Sequence, residues 1–245
     1  MALALLAILI VMVLGSVAPE LVRLRQFLWL RSWLQWLDER LGGHGLWNSE
    51  FGLALVVVPL LASTALIDWT LGGTLHGLLG FVFALVVLFF CWGPRDLDED
   101  ARRAARAESA ADRSEALQAL GGNAVDTPVR SVDLIDSVFV AGLTRWFGPL
   151  FWFVAFGPTG AVCFRLLQLL AQSAELRNRL PPAQSEAAEQ LYAALAWLPA
   201  QLMSLALALV SDFDAVGKAW REHHAAHGQG FLHLDLGFLV AAARA

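Results

Sequence analysis

Residues 148–170 read GPLFWFVAFGPTGAVCFRLLQLL, a run that carries one charged side chain, Arg165. About 20 mainly apolar residues suffice to cross about 30 Å of hydrocarbon. The stretch therefore predicts a membrane element rather than part of a soluble core. Gly148-Pro149 and Gly157-Pro158 interrupt it. Proline lacks a backbone donor and kinks a helix. The run is thus either a kinked span or a broken, re-entrant element packed against protein.

Working outward, four more runs qualify: Met1 to Ala18, Phe51 to Ile67, Leu75 to Trp92 and Ala193 to Val210. The first, second and last are short and need flanking residues to complete a crossing. The N-terminal run has no basic residues before it, and Gly15-Ser16-Val17-Ala18-Pro19-Glu20 lacks a clean small-x-small cleavage site. It is expected to stay as a span rather than be removed as a signal peptide. Backbone groups in lipid must pair within their own segment. The predicted fold class is therefore all-α: a polytopic integral membrane protein with four to five transmembrane helices, an amphipathic interfacial helix and a cytoplasmic helical segment.

Composition agrees. The chain is 58% hydrophobic and 16% charged, with a mean hydropathy of +0.58, whereas soluble domains are about half apolar and about a quarter charged. A soluble enzyme is excluded. Net charge is −5, and no basic face is in surplus, which argues against nucleic-acid binding. Cys91 and Cys163 both lie in apolar runs without a CxxC. They read as small apolar residues, giving neither a disulfide framework nor a zinc site.

Sixteen Arg and one Lys vote on orientation. If every run crosses, the first and third connections and the tail carry fourteen of them and the other side only Arg177 and Arg179, with Arg165 inside a run. That places the Arg-rich side in the cytoplasm. The organisation expected is 1–92 for three spans with an interfacial helix at 19–41, 93–145 for a cytoplasmic helical segment, 146–210 for two further spans, and 211–245 for a cytoplasmic tail. In the interfacial helix, Leu30, Trp33, Leu34, Leu37 and Leu41 recur at helical spacing, and Gly42-Gly43 stops it. Its arginines can snorkel while Trp29, Trp33 and Trp36 lie at headgroup level. With Trp47, Trp69, Trp92 and Trp146 they suit an aromatic belt. Asp96 to Leu120 is rich in Ala, Arg and Glu, a helix-favouring mixture ended by Gly121-Gly122-Asn123.

Four groups of residues could carry chemistry. Asp133 and Asp136 share a helical face and could hold Mg²⁺ or act as an acid–base pair, or simply favour the positive end of a helix. Arg165 is costly to bury alone, so it needs a polar or anionic partner. Gln168 and Gln172 lie on its face and define a polar stripe pointing into the bundle. His223, His224, His227 and His233 cluster near the C-terminus, but spacing fixes no third metal ligand, and Gly228 and Gly230 break the helix there. Asp212 and Asp214 read as the exit of the last span. No phosphate-cradling or nucleophile-elbow motif is present. The expectation is no cofactor and no resident metal.

Three blocks then stand out together: Trp146-Phe147-Gly148-Pro149-Leu150-Phe151-Trp152, Gly157-Pro158-Thr159-Gly160-Ala161-Val162-Cys163-Phe164-Arg165-Leu166, and Leu195-Ala196-Trp197-Leu198-Pro199-Ala200-Gln201-Leu202. In that order they resemble the superfamily of the cobalamin-biosynthesis membrane proteins CobD and CbiB and of AmpE, over roughly residues 130 to 205. The corrinoid branch, which forms an amide on a corrinoid acid, carries an Asn-Thr-Leu-Asp stretch after the arginine and acids before the tryptophan block. Here those positions hold Gln168, Leu169, Leu170 and Ala171, with Tyr192 and Ala193, and Val140, Ala141 and Thr144 further upstream.

The sequence therefore looks like the AmpE branch, and the corrinoid-type enzyme is the alternative. The resemblance implies a multi-pass regulatory protein of the bacterial inner membrane without established catalysis. It also implies a link through AmpD and peptidoglycan recycling to β-lactamase induction. The partners implied are the lipid bilayer and proteins of peptidoglycan recycling, with homo-oligomerisation left open. The candidate ligand or partner site comprises Arg165, Gln168, Trp146, Trp197, Asp133 and Asp136.

Overall fold

The computed structural model describes residues 2–17, 27–72, 77–92, 97–107, 109, 112, 115, 131–210, 214, 216–218, 221–222, 239–240 and 243. Nine α-helices and a π-helical turn are found among them: α1 (Ala2–Val17), α2 (Leu28–Leu41), α3 (Gly52–Gly72), α4 (Leu78–Cys91), α5 (Leu97–Arg106), α6 (Ser131–Gly142), the π turn (Leu143–Phe147), α7 (Gly148–Gln172), α8 (Ala174–Arg177) and α9 (Pro182–Val210). No strand occurs among the described residues. The protein is an all-α, polytopic membrane protein.

Among the described residues, three segments are long and apolar enough to cross a bilayer, Gly52–Gly72, Ile135–Gln172 and Pro182–Val210. At 1.5 Å per residue α3 rises about 32 Å and matches the hydrocarbon, whereas α4 rises only about 21 Å. The run at Leu75 to Trp92 is thus a shorter helix than expected. The last run gains length instead, because its helix begins at Pro182, where proline suits the first helical position. The interfacial helix is described from Leu28, and it ends at Leu41 beside Gly42; Pro19 and the residues up to 26 lie outside the described residues. So do Gly121-Gly122-Asn123, Asp212 and the four C-terminal histidines.

Contacts divide the chain into two compact units, Met1–Pro94 with Pro149–Leu195, and Arg95–Gly148 with Ala196–Ala245. In the first, Ala7 and Val11 of α1 pack with Leu88, Phe89 and Cys91 of α4 and with Phe153 and Ala161 of α7. Small residues at this meeting point let helices approach closely, which is how apolar helices gain van der Waals contact in lipid. In the second, Ala104 of α5 packs on Ala141, with Val138 and Trp146 alongside.

The broken run has a local cause. Phe156 (φ −131°, ψ 16°) and Gly157 (φ 65°, ψ −153°) leave helical geometry inside α7. Gly157 takes a positive φ that glycine adopts without cost, and Pro158 then restarts the helix. A side chain at Gly160 would clash with the Trp152 carbonyl oxygen, so this turn packs directly on the helix before the break. The Gly-x-x-Gly-Ala block is a backbone requirement.

Two contacts revise the orientation reading. Arg31 pairs with Glu175 at 2.8 Å, and Gln184 donates to the Trp47 carbonyl. The first and fourth connections therefore meet at one end of the first unit, whereas five full crossings would put them on opposite faces. An even number of crossings separates them. The count of fourteen against two assumed otherwise, and Arg177 and Arg179 belong with the first connection. Trp47 also departs from the belt, being only 1% exposed and donating to Asp38 Oδ1 at 3.0 Å. Trp69, at 79% exposed, sits as a belt residue would.

Candidate functional site

The restarted part of α7 carries Arg165 into the first unit, where it is 4% exposed. Its guanidinium donates from Nη1 to Gln168 Oε1 at 2.5 Å. Gln168 Nε2 donates to Gln172 Oε1 at 3.0 Å, and Gln172 Nε2 donates to the Tyr192 hydroxyl oxygen at 3.2 Å. Spacings of three and four residues put Arg165, Gln168 and Gln172 on one helical face. Each amide accepts with its oxygen and donates with its nitrogen, so the run is directional from the cation on α7 to the phenol on α9. The Arg165 carbon Cζ also lies 5.6 Å from the Phe27 ring centroid, within the range of a cation–π contact.

Beside this relay the family-like blocks lock to one another. Pro199 has no N–H, so the carbonyl of Leu195, four residues earlier, loses its helical donor. The Trp152 indole N–H fills that place at 3.0 Å, with Phe156 stacked on its ring at 5.6 Å between centroids. The Trp152 indole thus stands in for the helical donor that residue 199, a proline, does not offer to Leu195. Similarly, Trp33 donates to the Val56 carbonyl at 3.2 Å, near the gap in the α3 ladder that Pro59 creates.

The second unit holds a different arrangement. Arg145 projects from the π turn and meets Asp100 of α5 at 2.9 Å, with side chains 10% and 3% exposed. A π turn adds a residue to the helical circuit and redirects side chains. Here it coincides with Arg145, just before Gly148-Pro149.

The sequence-predicted residues therefore separate. Arg165 and Gln168 come together, joined by Gln172 and Tyr192. Trp146, Trp197, Asp133 and Asp136 fall in the second unit. Trp146 packs with Ala104 and Ala141, Asp136 is half-buried, and the Asp133 side chain lies outside the described residues. The Trp197 indole nitrogen is buried with no hydrogen-bond partner among the described residues. Asp214 is exposed. Sequence reasoning passed over Tyr192 as a relay member, although it is the chain's one tyrosine and directly precedes an apolar run. It also missed the Asp100–Arg145 pair, which no local spacing announces.

The family described as Regulatory signalling modulator protein AmpE matches residues 3–227. The chain belongs to the AmpE family. It is also similar to the cobalamin biosynthesis protein CobD of Chromobacterium violaceum, with 27% identity over 187 residues, covering 74% of this chain and 59% of that protein. The chain thus spans well under two thirds of that relative's length. No solved structure matches. AmpE membership agrees with the branch that the three sequence blocks imply, and with it the chain is a regulatory membrane protein.

Proposed function

We propose that this protein is an AmpE-type inner-membrane regulator that modulates β-lactamase induction and the response to β-lactam antibiotics, through peptidoglycan recycling. The observation that carries the reading is the family match from residue 3 to residue 227. The positions where the corrinoid branch is polar support it. Leu170 and Ala171 are buried as packing residues, and Gln168 is engaged with Arg165 and Gln172. Tyr192 is buried against Phe164. These positions serve packing and an internal relay, which suits conformational signalling better than amide synthesis.

The test is deletion in a host with inducible β-lactamase. Induction by a β-lactam should change on deletion and return when the intact chain is supplied in trans. Restored growth of a corrinoid-synthesis mutant by the same chain would overturn the reading in favour of a CobD-like enzyme.

A further inference from the structure

Arg165 is also part of the wall of a cavity of about 460 Å³ in the first unit, bounded by the start of α2, the middle of α3, the second half of α4 and α7. That volume lies within the range of about 300–1,000 Å³ usual for small-molecule sites. The lining is almost wholly apolar, with Phe27, Leu60, Val87 and Phe90 among its residues. Two hydroxyls, Ser63 and Thr64, also line it, but both donate to the Leu60 carbonyl, at 2.9 and 2.8 Å. Their protons are committed within α3, so the cation supplies the polar selectivity of the cavity.

We propose that this cavity binds a bilayer lipid with an anionic phosphate headgroup, the phosphate on Arg165 and an acyl chain along the apolar wall. Charge complementarity is the first argument. A guanidinium presents five donors in a fork that matches two anionic oxygens, and a phosphate shares it with Gln168.

The mouth of the cavity is the second argument. Trp29, Val86 and Phe90 line it while remaining 49%, 44% and 38% exposed, so apolar side chains continue from the interior to the outer surface of α2 and α4. A water-soluble anion would have to pass that surface, whereas an acyl chain is stabilised along it.

Depth is the third argument. Arg165 lies seven residues before Gln172, the end of α7, which is about 10 Å along a helix. The exposed Arg31–Glu175 pair follows just beyond that end. Elements that bury an apolar face at the boundary of headgroups and acyl chains reach about 5–10 Å into the membrane, so Arg165 stands where a phosphate with its chain pointing inward would meet it. This proposal rests on the cavity and on Arg165, and it does not depend on the regulatory reading.

Native mass spectrometry of the full chain released from detergent micelles tests it, with phosphatidylglycerol and the phosphate-free diacylglycerol of identical acyl chains as probes. Phosphatidylglycerol should bind at least about tenfold more tightly, the size expected for a charge-assisted hydrogen bond. Arg165→Gln should reduce it to the diacylglycerol level. Val87→Phe, which fills the cavity and keeps the cation, should weaken both lipids, and this variant decides the matter if Arg165→Gln fails to fold. Millimolar inorganic phosphate should not displace bound lipid. Equal binding of the two lipids, phosphatidylglycerol binding unchanged in Arg165→Gln or in Val87→Phe, or displacement by inorganic phosphate would each overturn the proposal.

Discussion

The two units each bury an arginine, and they satisfy it differently. In the second, Arg145 meets a carboxylate directly: Asp100 is 2.9 Å away and both side chains are nearly dry. In the first, Arg165 hands its hydrogen bond to an amide, which passes to a second amide and then to a phenol. A buried ion pair in good geometry is a fixed joint, because removing one partner strands a charge in a medium of low dielectric. A chain of neutral amides brings no counter-charge to the cation, and its members polarise one another. The contrast assigns the second unit's arginine to holding α5 against the π turn, and the first unit's arginine is the one to which the proposed lipid phosphate would bind.

The largest expected effect breaks the joint. Asp100→Ala should destabilise the protein by about 3–5 kcal/mol, the usual cost of leaving one member of a buried pair. Thermal unfolding in a fixed detergent should show a large fall in Tm. The double variant Asp100→Leu with Arg145→Met should recover most of it, since replacing both charges removes the stranded group. At the small end, Tyr192→Phe removes only the terminal acceptor of the relay and should cost about 0.6 kcal/mol, the mean for hydrogen bonds between membrane helices. If the two single variants shift Tm equally, the distinction between joint and relay fails.

A second measurement sharpens the geometry within the first unit. With Cys91 and Cys163 changed to Ala, cysteines placed at His44 and Asn178, both exposed, should react with a membrane-impermeant maleimide from the same side of the membrane. Labelling from opposite sides would restore five full crossings and contradict the Arg31–Glu175 and Trp47–Gln184 contacts.

Much of this was legible in residue types. The apolar runs announced helices, because lipid leaves the backbone no other partner. Gly157-Pro158 announced a break, and Arg165 with Gln168 and Gln172 announced a polar stripe by spacing alone. What stayed hidden depends on pairing between distant segments. Asp100 and Arg145 are 45 residues apart, and nothing in either neighbourhood names the other. Trp47 looked like a belt residue because its run end resembles the rest, yet Asp38 on α2 and Gln184 on α9 draw it inside. Charge counting misread the sides because it takes every apolar run as a full crossing, and the 14-residue α4 does not satisfy that premise. The cavity is likewise built from four elements that no local pattern joins.

The most direct test of the account is β-lactamase induction in the deletion host, complemented with the wild-type chain or with Arg165→Gln at equal membrane abundance. The account predicts that the wild-type chain restores induction to its undeleted level and that Arg165→Gln does not, although it keeps the Asp100–Arg145 joint. Full restoration by Arg165→Gln would contradict it.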